Sequence, residues 1–130
     1  MEHIEGNELT VIACGLPAHP SLEATRKLNA EGRSVGVIDV ATVKPLDGKA
    51  VLRAARRSRI LMTADEHNIP GGLGSAVAES VADEGCGVQL VRHGIHDECS
   101  LIAPPTHLYA HHKLDAAGIE EIARSALAKI

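Results

Sequence analysis

The sequence predicts an α/β domain built on a largely parallel sheet. Three observations carry this. Apolar, β-branched runs alternate with helical patterns along the whole chain. The runs over 9–14, 35–40 and 60–64 are almost continuously apolar, as strands buried on both faces are. Aromatic side chains are nearly absent: Tyr109 stands alone, with no Phe and no Trp. The core must therefore be built from Val, Ile, Leu and Ala, which suits a parallel sheet covered by helices. At 130 residues a single domain is expected. A chain of this size buries roughly two-thirds of its unfolded surface, enough for one real core.

The elements follow in order. Glu8-Leu9-Thr10-Val11-Ile12-Ala13-Cys14 reads as the first strand, closed by Gly15. Pro17-Ala18-His19-Pro20 reads as a turn. Ser21 is placed to cap a helix over 22–30, with Glu23 and Glu31 on its exposed side and Gly32 ending it. Residues 34–40 form a second strand, and 41–46 must stay extended before Pro45. Asp47 caps a helix over 48–58, with Val51, Leu52, Ala54 and Ala55 facing inward. Arg53, Arg56, Arg57 and Arg59 gather at its end, where cations complement the negative pole of a helix. Residues 59–64 make the third strand. A polar turn, a glycine-rich bend and a helix over about 72–83 come next. Gly85-Cys86-Gly87 breaks the chain before a shorter, half-polar fourth strand over 88–93. Residues 94–112 read as irregular, held by Pro104-Pro105. Asp115 caps a last helix over 116–129, apolar at Ile119, Ile122, Ala123, Ala126 and Leu127.

Composition removes several function classes. Net charge is −4 with the histidines neutral, which is unfavourable for phosphate backbones. One aromatic residue gives neither a base-stacking platform nor an aromatic cage for a cation. Cys14, Cys86 and Cys99 are an odd number without a CxxC pair, which fits a reducing compartment rather than a disulfide framework. No apolar run approaches the roughly 20 residues that span a bilayer. Met1-Glu2-His3-Ile4-Glu5-Gly6 is acidic and has no signal-type apolar segment. A cytoplasmic protein with no nucleic-acid or membrane partner is expected.

Chemistry concentrates between Asp65 and Val77, at the carboxyl end of the third strand, where ligands and partners usually meet an α/β sheet. Asp65, Glu66 and His67 supply groups for acid/base work, an imidazole beside carboxylates being able to shuttle a proton near neutrality. Gly71-Gly72-Leu73-Gly74-Ser75 ahead of a helix can offer backbone N–H groups to an anion. Its spacing is neither the dinucleotide fingerprint nor a P-loop, and Ser75 lacks the G-x-S-x-G elbow. The competing reading is close helix–strand packing and a polar contact surface, with Asn68 completing the turn. A second cluster, His93-x-x-His96-x-x-Cys99, has donors at metal-like intervals, with Asp97 and Glu98 between them and His107, His111 and His112 beyond. The order matches no common zinc-site spacing, and solvated loop histidines are the alternative.

Taken together, several segments resemble the C-terminal domain of the transketolase family of thiamine-diphosphate enzymes. They are Val37-Ile38-Asp39 running to Val43-Lys44-Pro45-Leu46-Asp47, then Glu66-His67-Asn68-Ile69-x-Gly71-Gly72-Leu73-Gly74-Ser75-Ala76-Val77, then Gly94-Ile95-x-Asp97. The opening Leu9-Thr10-Val11-Ile12-Ala13-Cys14-Gly15 and the ending Leu114-Asp115-Ala116-Ala117-Gly118-Ile119 fit the same pattern, so it covers nearly the whole chain in order. The departures are His96 where the family usually has Pro, Cys99 where an aromatic residue is common, and Pro70 in place of an aliphatic residue. The resemblance implies a three-layer α/β/α fold with a mixed, mostly parallel five-stranded sheet and one antiparallel edge strand. It implies a single domain over 1–130 that supports a homodimer and its neighbours. In the complete enzyme, two-carbon ketol transfer between sugar phosphates of pentose-phosphate metabolism would rest on thiamine diphosphate and magnesium. The family's Gly-Asp-Gly motif for magnesium and diphosphate is missing here, so the chain alone is expected to bind no cofactor and to be inactive. The thiamine-diphosphate site would lie on other domains or a partner chain. Glu66, His67, Asn68, Gly71, Gly72, Gly74 and Ser75 would face that assembly, Glu66 and His67 being the only catalytic candidates. The Leu73-Gly74-Ser75 wording leans towards transketolase proper. The alternatives are a deoxyxylulose-phosphate synthase, a 2-oxoacid dehydrogenase β chain, or an independent small-anion regulatory module using Gly71 to Ser75.

Overall fold

The structure, a computed structural model, describes residues 2–95 and 104–130. Ten elements alternate along it: β1 (Glu2–Ile4), β2 (Leu9–Ala13), α1 (Ala18–Ala30), β3 (Val35–Asp39), α2 (Gly48–Arg57), β4 (Ile60–Asn68), α3 (Leu73–Asp83), β5 (Gln89–Ile95), α4 (Pro105–His111) and α5 (Ala116–Leu127). The sheet has five strands in the order β1-β3-β2-β4-β5. β2 pairs in parallel with both β3 and β4, and β5 extends the parallel run. β1 closes the far edge antiparallel to β3. The mixed sheet with one antiparallel edge is therefore present, and its edge strand is the N-terminal segment. Three residues give no periodicity to read, so the sequence alone left it unassigned.

Strand alternation sorts the core into two layers. Leu9, Val11, Ala13, Val35, Val37, Ile60, Met62 and Ala64 face α1 and α5, packing on Ala24, Leu28, Ile119, Ala123 and Leu127. Ile12, Ile38 and Leu61 face α2 and α3, packing on Val51, Ala54, Leu73 and Val77. All of these are aliphatic, as the composition requires. Among the inward residues expected on α2, Leu52 is only half-buried and Ala50 takes the fourth buried place.

Two of the three expected N-caps hold. Asp47 accepts the Ala50 N–H at 3.2 Å and Asp115 the Gly118 N–H at 2.8 Å. Gly32, at φ +91°, ends α1. The Gly32 N–H donates to the Asn29 carbonyl and the Arg33 N–H to the Leu28 carbonyl, a Schellman closure that satisfies two orphan acceptors. Arg56 and Arg57 do lie in the last turn of α2.

Three boundaries differ from the sequence reading. Helix α1 begins at Ala18 rather than 22, and Pro17 occupies the cap. Pro20 falls in the first turn, where its missing N–H would have no helical partner anyway. Ser21 is accordingly inside the helix, buried, with its hydroxyl donating to the Pro17 carbonyl at 2.6 Å. Strand β4 runs on to Asn68, through residues read as a polar turn, with a register shift against β5 between Ala64 and Asn68. The segment 94–112 is not wholly irregular. β5 extends to Ile95, and Pro105 starts α4 from its first turn, a position that tolerates proline.

Candidate functional site

The strand order fixes where a site belongs. From β2 the chain crosses by α1 to β3 on one side, then by α2 to β4 on the other. The carboxyl ends of β2 and β4 therefore diverge at a topological switch point, which opens a crevice. Cys14-Gly15-Leu16 leaves β2 there, and Asp65 and Glu66 stand at the same level on β4.

Alternation sends the two carboxylates to opposite faces. Asp65 points towards α3. It is 4% exposed, and its Oδ2 accepts the Leu73 N–H at 2.9 Å. An internal carboxylate thus sits at the positive pole of α3, the place an external anion would take. Glu66 points the other way, towards α4. Its Oε2 accepts the Tyr109 hydroxyl at 2.8 Å, and its Oε1 lies 3.3 Å from where a β-carbon on Gly15 would sit. Gly15, at φ +76°, lets the β2–α1 loop pass close to that carboxylate.

The glycine bend is held from within. The Gly71 N–H donates to Ser75 Oγ at 2.9 Å, and the Gly72 N–H reaches the Ile69 carbonyl at 3.4 Å. Gly71 has φ +80°, which favours glycine. A β-carbon at Gly74 would come within 2.8 Å of the Arg92 side chain, so the glycine lets Arg92 lie across the first turn of α3. His67 and Asn68 belong to β4 by backbone; their side chains fall outside the described residues.

The surrounding electrostatics follow from these placements. Burial, then the charges of Asp65, Asp39 and Glu66, push the Cys14 thiol above its usual range. Burial and the hydrogen bond to Glu66 push the Tyr109 phenol up to about 12. Tyr109 enters the sequence reading only as a compositional oddity, and Leu16 does not enter it. Both line the crevice, and their signals were the lone aromatic and an apolar side chain between Gly15 and Pro17.

Of the metal candidates, His93, His107, His111 and His112 lie among the described residues. His93 is buried on β5, with its Nε2 2.6 Å from the Lys113 carbonyl oxygen, where it ties the α4–α5 corner to the sheet. His96 and Cys99 lie outside the described residues. His107 and His111 are exposed on α4, and His112 is buried. Among the described residues no three His, Cys, Asp or Glu side chains form a group able to hold a metal.

Residues 2–119 match the family described as transketolase, C-terminal domain. The chain belongs to that family. The transketolase C-terminal domain is 43% identical over 125 residues to 1-deoxy-D-xylulose-5-phosphate synthase 1 of Geobacter sulfurreducens, covering 95% of this chain and 20% of that protein. It is 33% identical over 122 residues to one of the subunits of apulose-4-phosphate transketolase from Actinobacillus succinogenes, covering 93% of this chain and 39% of that protein. A solved split-gene transketolase, described as an inactive β4 tetramer, superposes with a TM-score of 0.88 at 33% identity, over 98% of this chain and 42% of that one. The chain thus spans a fifth of the synthase and about two-fifths of the two transketolase chains. Both branches of the family appear among these relatives, with the higher identity on the synthase side.

The family depends on thiamine diphosphate, and diphosphate groups are commonly bound through a divalent cation that carboxylates hold. The donor chemistry of the described residues does not fit that group. Asp65 is engaged by the α3 backbone, Glu66 by Tyr109, and no oxygen-rich set of three acidic side chains is assembled. No helix of the described residues is long and apolar enough to cross a membrane.

Proposed function

We propose that this transketolase C-terminal domain is a non-catalytic assembly module of a thiamine-diphosphate enzyme that transfers a two-carbon unit between sugar phosphates. The cofactor and its magnesium would sit on other domains or on a partner chain, in the cytoplasm, and the module would support a homodimer of the complete enzyme. Glu66, His67, Asn68, Gly71, Gly72, Gly74 and Ser75 would form the face turned to that assembly. The observation that carries this reading is the engagement of the switch-point groups. A working acid, base or anion cradle keeps its groups available to substrate. Here the Asp65 carboxylate accepts the Leu73 N–H, and the Gly71 N–H donates to Ser75. The carbanion chemistry would belong to the cofactor and to the other domains or chain that hold it.

Complementation tests it. The Geobacter synthase, shortened by the segment this chain matches, is mixed with the separate chain. The expected result is co-elution and restored synthase activity, with none from the chain alone. Turnover by the chain alone, or failure of the two to associate, would overturn the proposal.

A second reading has one observation in its favour: the aliphatic stem of Arg92, whose end carries a cation, lies against Gly74 in the first turn of α3. That supports a small-anion module on Gly71 to Ser75. Thermal denaturation with a phosphorylated sugar separates the readings, since stabilisation absent with sodium chloride would support the anion module.

A further inference from the structure

Two clefts meet at the carboxyl edge of the sheet. One, of about 220 Å³, lies between β4 and α4, over Glu66, Ile95, Leu108 and His112. The other, of about 500 Å³, lies between the β2–α1 loop and α4, over Leu16, His19, Pro20 and Thr106. Tyr109 and Leu114 line both, so the two are continuous across these side chains. Leu16 is 64% exposed; the other exposed large hydrophobic among the described residues is Ile130, at the chain end. The chain thus places its one aromatic ring and its exposed leucine in a single groove. A volume of this order accommodates one or two side chains of leucine or arginine size.

A carboxylate lines each cleft, Glu66 the smaller and Asp115 the larger. Glu66 lies beside Gly15 and Tyr109, and one hydrogen bond from Tyr109 leaves most of its carboxylate acceptor sites unused by that bond. Of the basic side chains nearby, His19 lies 3.3 Å from Glu23, and Lys113 pairs with Glu121 at 3.0 Å. A second copy of this chain is a poor occupant: a two-fold contact through the groove sets the same acidic patch against itself. Charge and shape together ask for an aliphatic side chain beside a cation.

We propose that this groove docks a segment bearing an aliphatic residue next to an arginine or lysine, supplied by the cofactor-bearing part of the enzyme. The proposal rests on the assembly reading above and names the partner chemistry that reading leaves open. The aliphatic group packs on Leu16 and the Tyr109 ring, and the cation meets Glu66.

Tyr109 is its own reporter, since no other aromatic residue contributes to emission. N-acetyl-leucyl-arginine amide and N-acetyl-leucyl-glutamine amide are titrated against the full chain. The expected result is a saturable change in tyrosine emission, with the arginine dipeptide bound about three- to fivefold more tightly, a preference that fades in high salt. Glu66→Gln keeps an acceptor for Tyr109 and removes the preference; Leu16→Ser weakens both dipeptides alike. Absence of binding, equal binding of the two, or a preference that survives Glu66→Gln would overturn the proposal. The same variants enter the complementation assay. Wild-type complementation undiminished by either substitution overturns the groove and leaves the assembly reading standing. Failure of the wild type to complement removes the assembly reading, while the dipeptides still decide the chemistry of the groove.

Discussion

Replacing Asp65 by alanine tests the internal cap at the switch point. The carboxylate is buried, and the Leu73 N–H donates to it at 2.9 Å. That bond is charge-assisted, lies at the positive pole of an 11-residue helix, and stands in for a side-chain cap that Gly72 cannot provide. Removing it loses the bond and leaves the N–H unsatisfied in a buried site, a cost of about 2–3 kcal/mol. For a domain of this length each kcal/mol moves the midpoint by about 4 °C, so a fall of roughly 8–12 °C is expected. Asp65→Asn keeps an oxygen acceptor without the charge and should fall between alanine and wild type. Thermal denaturation by circular dichroism measures both, and amide exchange at Leu73 and Gly74 localises the effect. An alanine variant within about 2 °C of wild type, or asparagine as damaging as alanine, would refute the reasoning.

Three further predictions concern the same edge. The single tyrosine should ionise at about 12 by absorbance rather than near its usual 10; because the folded value is raised, the stability it contributes is present below pH 10 and lost as the pH rises through 12. Glu66→Gln should bring that titration down, though not fully, since burial is the larger cause. In a Cys86→Ser, Cys99→Ser background, Cys14 should react slowly with a disulfide reagent near pH 8, and faster once Asp65→Asn removes the largest charge raising its pKa. Gly118→Ala should destabilise despite better helix propensity, because the new β-carbon would run into the Lys113 backbone, at a corner where Lys113 already has φ 57°. A chemical-denaturation midpoint at or above wild type would contradict that packing.

The fold was legible wherever local chemistry and tertiary role agree. Apolar β-branched runs gave β2, β3 and the first half of β4. Asp47, Asp115 and Gly32 marked helix ends by mechanisms that need only neighbouring residues. Reading failed where long-range pairing overrides local pattern. Asp65 to Asn68 look like a turn because they are polar, but they continue β4, and β5 keeps Asn68 in register with Ile95. Pro20 and Pro105 read as breakers but fall in first turns, where proline is tolerated. At the site, the sequence singled out Glu66 and the glycine bend. It had no means of finding Tyr109, 43 residues away and carried by α4, a helix it read as irregular.

Isothermal titration of the chain with thiamine diphosphate and magnesium bears most directly on the central claim, that this domain contributes assembly rather than cofactor binding. The account predicts no measurable heat of binding to the chain alone, and cofactor-dependent heat once the cofactor-bearing chain is supplied. Saturable, stoichiometric, micromolar binding by the chain alone would contradict it.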